Sequence, residues 1–144
     1  MAVRIGVYDS GIGGLTTLAL LRAKLPGCTW FYLADNARMP FGSKSRAELF
    51  EAAHAALGLL HANADVAVMG CNTVSVTVRP KDAFTLCPDL DGCDPERTLV
   101  LATPRTLSVL DAAKRGFMTA DTSELAVLTE IQMSLSYKSR TKPS

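Results

Sequence analysis

No apolar run in this chain reaches the roughly 18–20 residues that cross a bilayer, so no membrane span is expected. Neither sign of charge dominates. Lys and Arg number 15 against 14 Asp and Glu, for a net charge of +1, which leaves no electrostatic footprint for nucleic acid or an anionic surface. Aromatic residues are only 6% of the chain, too few to suggest base-stacking platforms. The cysteines at 28, 71, 87 and 93 are too sparse and irregular for a disulfide scaffold. The opening "AVRIGVY" is strand-like and lacks the charged lead and cleavage site of a signal peptide. These absences point to a reduced, cytoplasmic protein with no nucleic-acid or membrane partner.

What is present can build a core. The chain has 144 residues, 48% apolar and 20% charged, the composition of a globular domain rather than a disordered one. Strand and helix signals alternate along it. "VRIGVY" (3–8) is a short β-branched run, "DSGIGG" (9–14) breaks it, and "LTTLALLRAKL" (15–25) has helical spacing closed by Pro26-Gly27. "TWFYLA" (29–34) is a second strand, 35–45 a polar loop, 46–63 a long helix and "DVAVMG" (65–70) a third strand. Repeated β-α units imply a parallel sheet with right-handed crossovers. The fold class expected is α/β, with an open, mostly parallel, doubly wound sheet and flanking helices.

The second half is less regular. Residues 79–97 carry prolines and acids and read as one long loop, uncommon inside a compact domain. "TLVLAT" (98–103) reads as a strand and 104–115 as a helix opened by proline. The pattern fades after Gly116, although 123–135 has amphipathic helical spacing and 136–144 is a polar tail. The division expected is 1–97, an α/β domain ending in an acidic loop, and 98–144, a shortened second domain with its tail.

Ligands of open parallel sheets bind beyond the carboxyl ends of the strands. Asp9-Ser10, the loop 35–45 and Cys71-Asn72-Thr73 all follow strand ends, so three polar clusters should meet on one rim. Cys71 is the candidate reactive thiol, with a pKa lowered by the helix N-terminus expected after it. Asp9 can move a proton beside that thiol or meet a substrate ammonium, or it can cap the next helix, for which Ser10 is the better choice. The spatial expectation is a Cys71 sulfur close to the Asp9 carboxylate, both facing an open hollow. Cys28, Cys87 and Cys93 are read as packing or loop residues, and Lys44 as a surface charge or an anion contact.

Other signals fail their tests. Gly11, Gly13 and Gly14 have the spacing G-x-G-G, not the dinucleotide fingerprint, although the backbone there can hold a carboxylate. His54 and His61 share a helix face with no metal partner, and "CPDLDGCDPE" (87–96) fits neither zinc nor calcium spacing. No cofactor and no metal are expected.

"IGVYDSGIGGLTTL" (5–18), "LADNARMPFGSKS" (33–45) and "GCNTVS" (70–75) resemble, in order and spacing, the glutamate racemases of the aspartate/glutamate racemase superfamily. "TLVLATPRTLSVL" (98–110) resembles the strand and turn that begin their second domain. The resemblance implies a cofactor-independent isomerase that interconverts L- and D-glutamate for peptidoglycan and the cell wall, with one cysteine from each of two halves facing the substrate Cα. It implies Cys71 as the acid/base of the first half, with Asp9 and Ser10 assisting that thiol and contacting substrate. It assigns Pro40, Phe41, Gly42 and Ser43 to the segment that binds the substrate carboxylate, with Asn72 and Thr73 as the polar pair beside the cysteine. Phe41 stands where a tyrosine is usual.

The family's second thiol lies in a Gly-Cys-Thr-His motif, and no such tetrapeptide occurs in this sequence. Inversion requires acids on both faces of the substrate, so the chain alone is expected to racemise little or not at all. Two further readings stay open: a single-cysteine decarboxylase or isomerase of the same superfamily, and a non-catalytic module that binds small acids. A homodimer is a further way to bring two Cys71 thiols together, and no sequence feature sets that geometry.

Overall fold

The computed structural model of the chain describes residues 1–122. The chain divides into two compact units, Met1–Gly92 and a second that begins at Cys93. The first unit contains β1 (Arg4–Asp9), α1 (Gly14–Lys24), β2 (Thr29–Ala34), α2 (Arg46–Asn63), β3 (Val66–Met69), α3 (Asn72–Val78) and β4 (Phe84–Thr85). Its sheet runs β2-β1-β3-β4, and every pairing is parallel.

β1 is hydrogen-bonded on both sides, in register Tyr8↔Leu33 with β2 and Tyr8↔Met69 with β3. A central strand covered on both faces needs an unbroken apolar run, which explains "IGVY": Val7 and Tyr8 are fully buried. Alternation sends Ile5 and Val7 to one face, where Leu18 and Leu21 of α1 pack on them. Tyr8 goes to the other face, with Leu49, Ala53, Leu57 and Leu60 of α2 and Val74 of α3. Helices on both faces are the doubly wound arrangement. The order reverses at β1, since α1 leads the chain outward to β2 and α2 brings it back past β1 to β3. The ends of β1 and β3 therefore flank the switch point, where such sheets open a crevice.

α2 is held locally at its start and by packing along its length. Ser45 and Glu48 form a capping box: the Glu48 N–H donates to Ser45 Oγ at 3.2 Å and the Ser45 N–H donates to Glu48 Oε2 at 2.7 Å. Its buried residues Leu49, Ala52, Ala53, Ala56, Leu57 and Leu60 follow helical spacing. Each buried leucine contributes on the order of 1.5–3 kcal/mol. At the opposite end of the sheet Asp65 accepts from the Arg4 backbone N–H at 2.9 Å and from its guanidinium at 2.6 Å.

The second unit has β5 (Leu99–Ala102), α4 (Pro104–Leu110) and β6 (Met118–Asp121), with β5 parallel to β6. Three expectations need correction. The stretch 79–97 is not one loop, because β4 adds to β3 in the register Val68↔Phe84 and Pro95–Arg97 forms a 3-10 turn. The helix read over 104–115 stops at Leu110, where Asp111 enters left-handed backbone with φ 49°. The pattern does not end at Gly116, since β6 follows, too exposed to carry a strong apolar signal. The helix expected over 123–135 and the tail at 136–144 lie outside the described residues. Among the described residues no helix is long and apolar enough to cross a membrane.

Candidate active site

Asp9 is the last residue of β1, and Cys71 follows β3 as the N-cap of α3. The two loops are tied by the backbone: the Gly70 N–H donates to the Tyr8 carbonyl at 2.6 Å. A Cβ on Gly70 would come within 2.9 Å of that carbonyl oxygen, so only glycine lets the chain pass close enough to place the next residue here. The Cys71 thiol then donates to Ser10 Oγ at 3.2 Å. Asp9 turns its Oδ2 back to accept from the Gly11 N–H at 3.0 Å, and the Tyr32 hydroxyl donates to the Gly11 carbonyl at 3.0 Å.

Gly14 allows this packing. A Cβ there would lie 2.6 Å from the Asp9 Cβ and 3.0 Å from the Tyr32 hydroxyl. Neither Asp9 nor Ser10 caps α1 as expected; its N-cap is Gly13, with no side-chain cap bond. Their polar groups are engaged instead by Gly11 and by the Cys71 thiol.

The loop after β2 joins the same rim. The Asp35 N–H donates to the Asp9 carbonyl at 2.9 Å, and the Asp35 carboxylate holds Arg38 at 2.7 Å. Met39 approaches Gly11, with its sulfur 3.3 Å from where a Cβ would sit. The three polar clusters are thus neighbours. Within them, Pro40, Ser43 and Asn72 are exposed, Gly42 is half-buried and Thr73 is buried. The Phe41 ring is buried in the cluster that contains Tyr8, Met69, Cys71 and Val74. It faces the core and not the rim. Lys44 lies over that ring at 5.9 Å and reaches Glu48 at 3.8 Å.

Two expectations for the site change. Cys71 and Asp9 do not lie open at the rim but are buried, 4% and 6% exposed. The Cys71 thiol is pushed above its ordinary pKa, not below it, because burial disfavours the thiolate. The Ser10 hydroxyl and the backbone N–H groups of Val74 and Ser10 pull the other way, and Asp9 adds to the rise. The first turn of α3 contributes through the Val74 N–H, but the desolvation of the sulfur outweighs it.

Nothing in the strand pattern of "VRIGVY" marks Tyr8 as a site residue. Its hydroxyl is buried without a hydrogen-bond partner among the described residues, and burial, with Asp35, Cys71 and Asp9 nearby, holds the phenol protonated far into the alkaline range. Tyr32 is pushed up to about 12 by burial and by Asp9. Cys28 is half-buried on the α1 face, while Cys87 and Cys93 are exposed. Among the described residues no group of three His, Cys, Asp or Glu side chains is placed to hold a metal ion.

No family model matches the chain. It is 38% identical over 82 residues to a glutamate racemase of Shewanella loihica, covering 56% of this chain and 31% of that protein. A Roseiflexus glutamate racemase is 39% identical over 117 residues, covering 72% of this chain and 43% of that protein. The solved structure of Escherichia coli glutamate racemase, in complex with L-glutamate and the activator UDP-MurNAc-ala, superposes with a TM-score of 0.70 at 26% identity. That superposition covers 92% of this chain and 57% of the other. The chain spans less than half the length of the curated relatives it matches. By its parallel sheet, its strand-end thiol and these likenesses, the chain is similar to glutamate racemases over part of their length.

Proposed function

We propose that this chain carries one acid/base half of a glutamate racemase-type, cofactor-independent isomerase, with Cys71 moving the substrate α-proton. The observation that carries this reading is the thiol at the end of β3, 3.2 Å from the Ser10 hydroxyl and beside Asp9 at the neighbouring strand end. L-glutamate, bound by the Escherichia coli relative, is the substrate taken for this chain, and the two-thiol reaction of which it carries one half would supply D-glutamate for peptidoglycan synthesis. Asp9 and Ser10 assist the thiol. The backbone of Pro40, Phe41, Gly42 and Ser43, with Asn72 and Thr73, receives the substrate's carboxylate and ammonium groups.

Removing so weakly acidic a proton leaves negative charge on the substrate, which preorganised donors in a water-poor site must stabilise. The buried sulfur suits that demand, and its raised pKa suits a group that also returns a proton. One thiol serves one face of the substrate. The sequence has no Gly-Cys-Thr-His motif, which favours exchange at one face over inversion.

The test is proton exchange in D2O, with each glutamate enantiomer followed by NMR and inversion followed by circular dichroism. One enantiomer should lose its α-proton signal while inversion stays far slower, and Cys71→Ser should slow exchange by about 10²-fold or more. Inversion as fast as exchange overturns the one-face reading, and unchanged exchange in Cys71→Ser overturns the role of the thiol. Glutamate binding with no exchange in either form would leave a small-acid-binding module.

A further inference from the structure

Two buried side-chain polar atoms among the described residues lack a hydrogen-bond partner, and one of them, the Tyr8 hydroxyl, lies in the same buried cluster as Cys71. A buried hydroxyl left unpaired costs about 1–3 kcal/mol, so phenylalanine would suit a purely structural position better. The backbone binds the two residues together, since the Gly70 N–H holds the Tyr8 carbonyl at 2.6 Å and Cys71 is the next residue. In the neutral state the sulfur is a donor, giving its proton to Ser10 Oγ. Once that proton leaves, the sulfur becomes an acceptor in a site that burial makes hostile to charge.

We propose that the Tyr8 hydroxyl is a donor held in reserve for the negative charge that forms on the Cys71 sulfur, which makes Tyr8 a positioning residue of the site. The proposal deepens the reading of Cys71 as an acid/base and rests on it. Beside the backbone N–H groups of Val74 and Ser10, Ser10 reverses its hydroxyl to supply one side-chain hydrogen bond, and Tyr8 supplies a second. Tyr8 stays protonated throughout, because burial holds its own proton far into the alkaline range. The charged groups around it are Asp9 at the end of β1 and, after β2, Asp35 paired with Arg38, which in turn faces Glu51 of α2. Phe41, in the same cluster, offers no hydroxyl, so Tyr8 is the phenol available there.

The experiment titrates the Cys71 thiol without substrate, by iodoacetamide labelling across pH with the Cys71 peptide quantified by mass spectrometry, in the unaltered chain and in Tyr8→Phe. The midpoint should move up by about one pH unit in Tyr8→Phe, a tenfold smaller thiolate fraction at neutral pH. The thermal midpoint should hold or rise, since an unpaired hydroxyl has been removed. An unchanged labelling midpoint overturns the proposal, and so does a marked fall in thermal midpoint, which would show the hydroxyl bonded within the fold. Because no glutamate is present, this titration is decided independently of D2O exchange, so failure of the proposed function would be seen separately.

Discussion

Gly14 shows how a single residue can carry opposite effects. By helix propensity, Gly14→Ala should stabilise α1, by up to about 1 kcal/mol. Its Cβ, however, would sit 2.6 Å from the Asp9 Cβ, an atom fixed close to the backbone of β1 rather than at the end of a flexible chain. Overpacking of that kind costs about 1–3 kcal/mol, so the clash should win. Denaturant unfolding of Gly14→Ala is expected to show a net loss, with D2O exchange falling as Asp9 is displaced; a stabilised variant would contradict the packing described. Cys71, Asp9 and Ser10 were legible as candidates from their positions after strand-like runs. The burial of the thiol was not, since its covering residues Tyr8, Phe41 and Val74 come from three separate stretches of sequence.

Among the elements, β2 and α2 fall on the residues their local patterns indicate, Thr29–Ala34 and Arg46–Asn63. α2 needs little tertiary information because it has a strong start signal and a long apolar stripe. Ser45→Ala removes one half of the capping box and should cost about 1 kcal/mol, read as a lower thermal midpoint. A midpoint equal to that of the unaltered chain would show that packing alone holds the helix. β4 is the opposite case. Two residues, one of them the exposed Phe84, have no periodicity to read. They pair because the Leu86 N–H donates to the Met69 carbonyl at 3.3 Å and to Ser75 Oγ at 3.2 Å. Ser75, fully buried, in turn donates to the Met69 carbonyl at 2.9 Å, so one hydroxyl joins β3, α3 and the chain after β4.

For the whole molecule, the division into units falls in an exposed acidic stretch. Asp89, Asp91, Gly92, Cys93 and Asp94 are all exposed, and Gly92 adopts φ 82°. Segments of this kind are the usual first sites of proteolytic nicking. Limited digestion with an acid-specific protease should therefore cut first between Asp89 and Asp94 and leave the first unit as a lasting fragment on a gel. First cuts inside α2, at Glu48 or Glu51, would contradict the division.

The sequence by itself determined the alternation of strand and helix through residue 78, the parallel sheet and the family motifs, because periodicity, caps and glycine turns act over a few neighbouring residues. Only the tertiary structure decided that Cys71 is buried with a raised pKa, that Ser10 serves the thiol rather than a helix, and that Tyr8 ends in an unpaired hydroxyl. Each of those depends on which distant side chains share a space, and desolvation is set by that company.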